Sequence, residues 1–242
     1  MSFGPFIKAS AIALSLGLGA SAAHANLISN GDFESGLTGW SVFDQADGDG
    51  TWYSSSVGSA TPESGQSTSA VGGSGLYAVS DQNGPGAHSL IQSFTVGAGA
   101  IVNVSFDMFV NSYADYAEAR GGLDYTLIPN QHARVDILTA GATPFSTASG
   151  DIVATLVAPF ADLVVDSTPN PFTAYSFDVS AELAAGGTFQ LRFAEVDNQL
   201  FLNMGVDNVV VQARTDEGTG VPAPTPLALL AMGLLALGSR KR

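Results

Sequence analysis

Cysteine is absent from all 242 residues. That excludes a disulfide framework, thiol catalysis and cysteine-ligated metal centres. Lysine is nearly absent too, occurring only as Lys8 and Lys241. Between residues 26 and 220 the cationic side chains are Arg120, Arg134, Arg192 and Arg214, against 22 carboxylates, a formal −18. A surface of that sign repels nucleic acid and anionic lipid, so no nucleic-acid partner is expected. Histidine is scarce: beyond residue 25 only His88 and His132 remain. The sequence holds no His-Glu-x-x-His and no Gly-x-Ser-x-Gly. No catalytic residue is assigned and the chain is read as a non-enzyme. Glycoside hydrolysis, which needs only paired carboxylates, is the remaining catalytic alternative.

What is present is β-structure and turn formers. Ala100–Val110 alternates: Val102, Val104, Phe106 and Met108 fall on one face, and Ile101, Asn103, Ser105 and Asp107 on the other. Period-two patterning of this kind specifies a half-buried strand. Further strands are expected at residues 76–80, 88–96, 133–138, 172–179, 188–196 and 201–212. One or two more are expected over 151–166, broken at Pro159. Ser180 could cap a turn of helix at Ala181–Ala185, closed by Gly186. Residues 54–75, rich in Ser, Thr and Gly, read as a long surface excursion, and 111–130 as a polar, aromatic connection. Asp44, Asp47 and Asp49 read as a solvated acidic turn. The fold class is all-β, a single jelly-roll β-sandwich, with a signal helix before it and an apolar transmembrane helix after it.

The two ends read as addresses. Lys8, a short apolar run and Ala23-His-Ala25 make a secretory signal peptide over 1–25, cleaved after Ala25. Residues 26–213 form the sandwich domain and 214–220 a linker. Pro222-Ala223-Pro224 then precedes an apolar helix over 227–238 and the basic cluster Arg240, Lys241 and Arg242. Twelve helical residues rise roughly 18 Å, short of a ~30 Å hydrocarbon core, so flanking residues must help span it. The terminal cations suit the cytoplasmic side.

That order of elements resembles the PEP-CTERM sorting signal of Gram-negative bacteria, with Ala223 where the family has glutamate. The resemblance implies an exosortase-like processing enzyme and the secretion machinery as partners. It also implies transient inner-membrane anchoring, then delivery to the cell surface or extracellular polymer matrix. Asn30-Gly-Asp-Phe-Glu34, followed by Gly39-Trp40, together with Val206-Asp-Asn-Val209 near the end, resembles galactose-binding-like sandwiches, including carbohydrate-binding modules. This second resemblance implies a structural calcium joining first and last strands, held by Glu34 and Asp207 with Asp32 as a further candidate. A glycan platform would need exposed aromatic faces, for which Trp52, Tyr53, Tyr113 and Tyr116 are the candidates. The expected role is structural or glycan-adhesive, with polysaccharide as the partner. A dedicated carbohydrate-binding module is the alternative.

Overall fold

Short strands separated by Gly, Asn, Asp and Ser turns must pair across the sheet to satisfy their backbone groups. The computed structural model describes residues 26–215, except 116 and 120. Among the described residues there are ten strands: β1 Ser41–Asp44, β2 Thr51–Ser56, β3 Leu76–Asp81, β4 Gly86–Val96, β5 Ala100–Ser112, β6 His132–Thr139, β7 Ile152–Phe160, β8 Thr173–Asp178, β9 Gly187–Asp197 and β10 Leu202–Thr215. They form two five-stranded sheets, ordered β1-β4-β9-β6-β7 and β2-β3-β10-β5-β8. All pairings within these sheets are antiparallel. The all-β two-sheet sandwich is therefore as expected. The expected signal peptide with Ala23 and Ala25 lies outside the described residues. So do the expected sorting motif at Pro222, Ala223 and Pro224, the segment expected as an apolar helix, and the Arg240–Arg242 cluster. Among the described residues, no helix is long and apolar enough to cross a membrane.

The alternation in β5 holds: Val102, Val104, Phe106 and Met108 are all in the core between the sheets. Opposite them, β9 contributes Leu191 and Phe193. Phe106 and Phe193 meet edge-on at 5.1 Å across the interior, and Trp40 stacks on Phe33 at 5.3 Å. Burying each such ring contributes about 1.5–3 kcal/mol by removal of apolar surface.

The N-terminal segment is pinned to the last strand. Leu27 N donates to Val211 O (2.8 Å), and Val209 N donates to Gly31 O (2.8 Å). A Cβ on Gly31 would lie 2.0 Å from Val209 O, so only glycine permits this approach. The Val209 bond coincides with a register shift in β10 between Asp207 and Val210, where Asn208 takes φ 52°. Asn30, at φ 49°, holds the following loop through Gly36 O, Thr38 O and Ser35 N.

Two local expectations need correction. β7 runs through Pro159 without a break. It is an edge strand paired only with β6, so a missing N–H can face away from the ladder. Residues 181–185 form a turn, not helix. Gly186 N still closes it on Leu183 O, with Gly186 at φ 68°.

Candidate functional site

β3 and β10 are neighbours in one sheet, and β4 and β9 in the other. The β3–β4 and β9–β10 connections both cross between sheets, and antiparallel pairing brings them to the same end. A cleft of about 220 Å³ opens there, lined by Asn83, Gly84, Pro85, Asp197, Asn198, Gln199, Leu200 and Phe201. Its walls are tied down by amides. Gln82 Nε2 donates to Leu202 O (2.7 Å), and Asn198 Nδ2 donates to Tyr125 O (2.6 Å) and Leu127 O (2.9 Å). Gln131 Nε2 donates to Leu200 O (2.9 Å). Leu200 on the lining is 55% exposed, and on the neighbouring segment that Asn198 holds, Leu127 and Ile128 are 45% and 69% exposed.

Of the platform candidates, Tyr113 touches a residue of the cleft wall, Phe201, without lining the cleft itself. Its ring meets Phe201 edge-on at 6.2 Å, and its N–H donates to Phe201 O (2.9 Å). Trp52 does not. It is 3% exposed and packs in the core, because strand parity turns it inward with Ala78 and Ser80. Tyr53, on the opposite face of β2, is half-buried, and its hydroxyl donates to Glu63. Burial first, and then that carboxylate, raise its pKa. Tyr116 lies outside the described residues.

Acids stand behind the cleft. On β9 the parity that buries Leu191 and Phe193 also places Glu195 and Asp197 toward the interior. Asp197 Oδ1 accepts from Gly86 N (3.1 Å); burial pushes this carboxyl up to about 7. Glu195 is fully buried; its oxygens meet no donor at close hydrogen-bonding geometry, and the nearby Ser80 hydroxyl only partly offsets that burial. Its pKa is raised well above the usual carboxylate range, by burial and then by the nearby Asp197 charge. His88, paired with Glu195 across β4–β9, places Nε2 3.9 Å from Glu195 Oε1 and Nδ1 2.8 Å from Asp44 Oδ1. Asp49 accepts from Asn83 N (2.9 Å). The turn of Asp44 to Asp49 is thus more than solvated: two of its carboxylates hold partners at this end.

The calcium candidates lie along the flank, where the N-terminal segment meets β10. Glu34 Oε1 accepts from Leu76 N (2.9 Å), and Gly75 leaves room for that carboxylate, since a Cβ there would meet it at 1.9 Å. Asp207 is buried opposite Asp107 in the ladder, and Asn208 Nδ2 donates to Asp107 Oδ2 (2.9 Å). Burial, and then Asp107, Glu34 and Asp32, push the Asp207 carboxyl up to about 7. The donors are hard oxygens that suit calcium. Among the described residues, however, no three acidic or imidazole side chains converge in an arrangement that holds an ion.

A third polar cluster is structural. On the outer face of the β4–β9 sheet, Asp136 accepts from Arg134 Nε (2.7 Å) and Arg192 Nη2 (2.5 Å). Burial alone would raise the Asp136 carboxyl, but the two guanidiniums outweigh it and hold it low. Arg192 Nη1 donates to Pro144 O and Ser146 O, which seats that loop on the sheet.

The cleft residues were not singled out from sequence, although a signal was present. Parity along β9 puts two carboxylates on the core face, which strands seldom tolerate without a reason. The amide-rich turns Gln82-Asn83 and Asn198-Gln199 also flank strands that become neighbours.

No protein-family model matches the chain, and no curated protein matches it by sequence. Solved structures of similar architecture exist. TmCBM61, in complex with beta-1,4-galactotriose, is 9% identical over 77% of this chain and 97% of its own, with a TM-score of 0.44. A cleaved adhesin domain of Lys-gingipain from Porphyromonas gingivalis is 15% identical over 76% and 95%, with a TM-score of 0.45. The enzymatically active domain of a bacteriophage CBA120 tailspike is 12% identical with a TM-score of 0.45; the match covers 78% of this chain but 21% of that one.

Proposed function

We infer that this chain is an exported, non-catalytic module of the cell surface or extracellular matrix that binds glycan in the cleft at the strand ends. The observation that carries the reading is the make-up of that cleft. Asn83 presents an exposed carboxamide that makes no hydrogen bond among the described residues, beside the nearly buried Asp197 and the apolar side chains of Leu200 and Phe201. Sugar rings offer the matching pattern of hydroxyls that donate and accept, with apolar C–H faces between them. Among the described residues, one carboxylate lines the cleft, whereas glycoside hydrolysis uses two that flank the scissile bond. Export rests on the signal-peptide and sorting-signal readings of the two ends. A structural calcium bound by Glu34, Asp207 and Asp32 would neutralise the crowded flank and fasten the first segment to β10.

Isothermal titration of the mature domain with neutral oligosaccharides tests the reading. Binding is expected, with Asn83→Ala and Phe201→Ala each weakening it by about tenfold, roughly 1.4 kcal/mol. The same titration in calcium and in a chelator separates the metal from the sugar site. Calcium should raise the melting temperature and leave the cleft affinity unchanged. An absence of heat with every sugar would defeat the glycan reading. An absence of any thermal shift would defeat the calcium one.

A further inference from the structure

We propose that the cleft selects uncharged glycans and rejects anionic ones, and that Asp197 is the residue that enforces the choice. This deepens the glycan reading and rests on it. Among the described residues, the cleft lining holds no cation: its polar groups are the amides of Asn83, Asn198 and Gln199 and the carboxyl of Asp197. Two of these amides are already committed within the chain. Asn198 Nδ2 is spent on Tyr125 O and Leu127 O, and Gln199 Nε2 donates to Asn198 O and Oδ1. A uronate or sulfate entering here would find few uncommitted donors.

It would also meet negative charge from two sides. Asp197 lines the wall with only 3% of its surface exposed, its carboxyl fixed by Gly86 N–H, so its charge acts from just behind the cleft surface. Asp49 lies directly beneath the opposite lip, where a Cβ on Gly84 would come within 3.3 Å of its side chain. The described guanidiniums cannot compensate. Arg134 and Arg192 are bound to Asp136 on the outer face of the sheet, and Arg214 is near the far end of β10. A neutral sugar hydroxyl, by contrast, donates to a carboxylate as readily as it accepts from a carboxylic acid. Asp197 therefore serves uncharged ligands in either protonation state, and only an anion is penalised.

The probes are galactotriose, cellotriose and laminaritriose against trigalacturonate, titrated at about pH 8 into the wild type and into Asp197→Asn. Expected is measurable binding of at least one neutral trisaccharide and at least about tenfold weaker binding of trigalacturonate. The isosteric Asp197→Asn variant should narrow that ratio by raising trigalacturonate affinity. A melting curve matching the wild type would show that the variant is folded. Trigalacturonate bound as tightly as the neutral sugars overturns the selectivity while leaving the glycan reading intact. An unchanged ratio in Asp197→Asn overturns the role of Asp197. If no sugar of either kind binds, the glycan reading falls and the selectivity with it.

Discussion

At the scale of single residues, the unusual expense of this fold is the pair of acids on the core face of β9. A fully buried carboxylate with so little hydrogen bonding is disfavoured as an anion, so the pKa of Glu195 is driven up. Because the folded-state pKa values of Glu195 and Asp197 lie above their unfolded values, the folded chain binds more protons than the unfolded one as pH rises. Their favourable contribution is complete below about pH 4 and is lost as pH climbs through the folded values, about 7 for Asp197. The shift of Asp197 from 3.8 to about 7 corresponds to roughly 4 kcal/mol across that window. For a domain of this size, that is on the order of 10 °C in melting temperature. Asp136 acts in the opposite sense, since its lowered pKa costs stability only in stronger acid. Glu195→Gln should therefore weaken the decline that sets in above the ordinary carboxylate range and melt higher than the wild type at the alkaline end. Thermal melts across pH would refute this if both proteins kept the same slope. The parity of Leu191, Phe193, Glu195 and Asp197 was legible in the sequence; that Glu195 would sit near His88 and Ser80 without a close hydrogen bond was not, because side-chain partners come from other strands. Trp52 shows the reverse. Its exposure depended on which face of β2 met the second sheet, and Ser/Thr-rich neighbours give no clue to that.

At the scale of elements, strand alternation was legible wherever one face was buried, as in β5 and β9. It failed where the edge of the sheet relaxed the rules, as at Pro159 in β7. The Asn30-Gly31 turn was readable as a turn. Its docking against the kink in β10, 178 residues further on at Val209, was not, since no local pattern encodes so distant a contact. That docking makes a sharp stability test. Gly31→Ala would drive a Cβ to 2.0 Å from Val209 O, a backbone atom that cannot step aside without losing the Val209 N–Gly31 O bond. A loss of about 2–4 kcal/mol is expected, from overpacking together with a broken buried hydrogen bond. Gly141→Ala is the matched control. Nothing lies within 4 Å of its added Cβ, and the change should stay within ~0.5 kcal/mol. Urea midpoints at constant m-value compare the two. Equal midpoints would mean that the N-terminal segment is not fastened to β10 as described.

At the scale of the whole molecule, the decisive feature is polarity. β10, fourteen residues long, begins at Leu202 beside the cleft and ends at Thr215, a rise of roughly 43 Å. Asn26 bridges Gln212, so the first described residues lie near that far end as well. A tail that held the chain at a membrane would therefore turn the cleft, and the Leu127–Ile128 segment that Asn198 holds beside it, outward. The absence of cysteine makes this directly measurable, because any thiol introduced is the only one present. On intact cells, a bulky maleimide should modify Ile128→Cys faster than Gln212→Cys, both being exposed positions on the folded domain. The difference should vanish in chain released to the medium, whose mass should place its C-terminus near Pro222–Pro224. If both positions react alike while the chain is cell-bound, the outward orientation is wrong. If the extracellular chain still ends at Arg242, the tail is not a processed sorting signal, and the domain reaches the surface by another route.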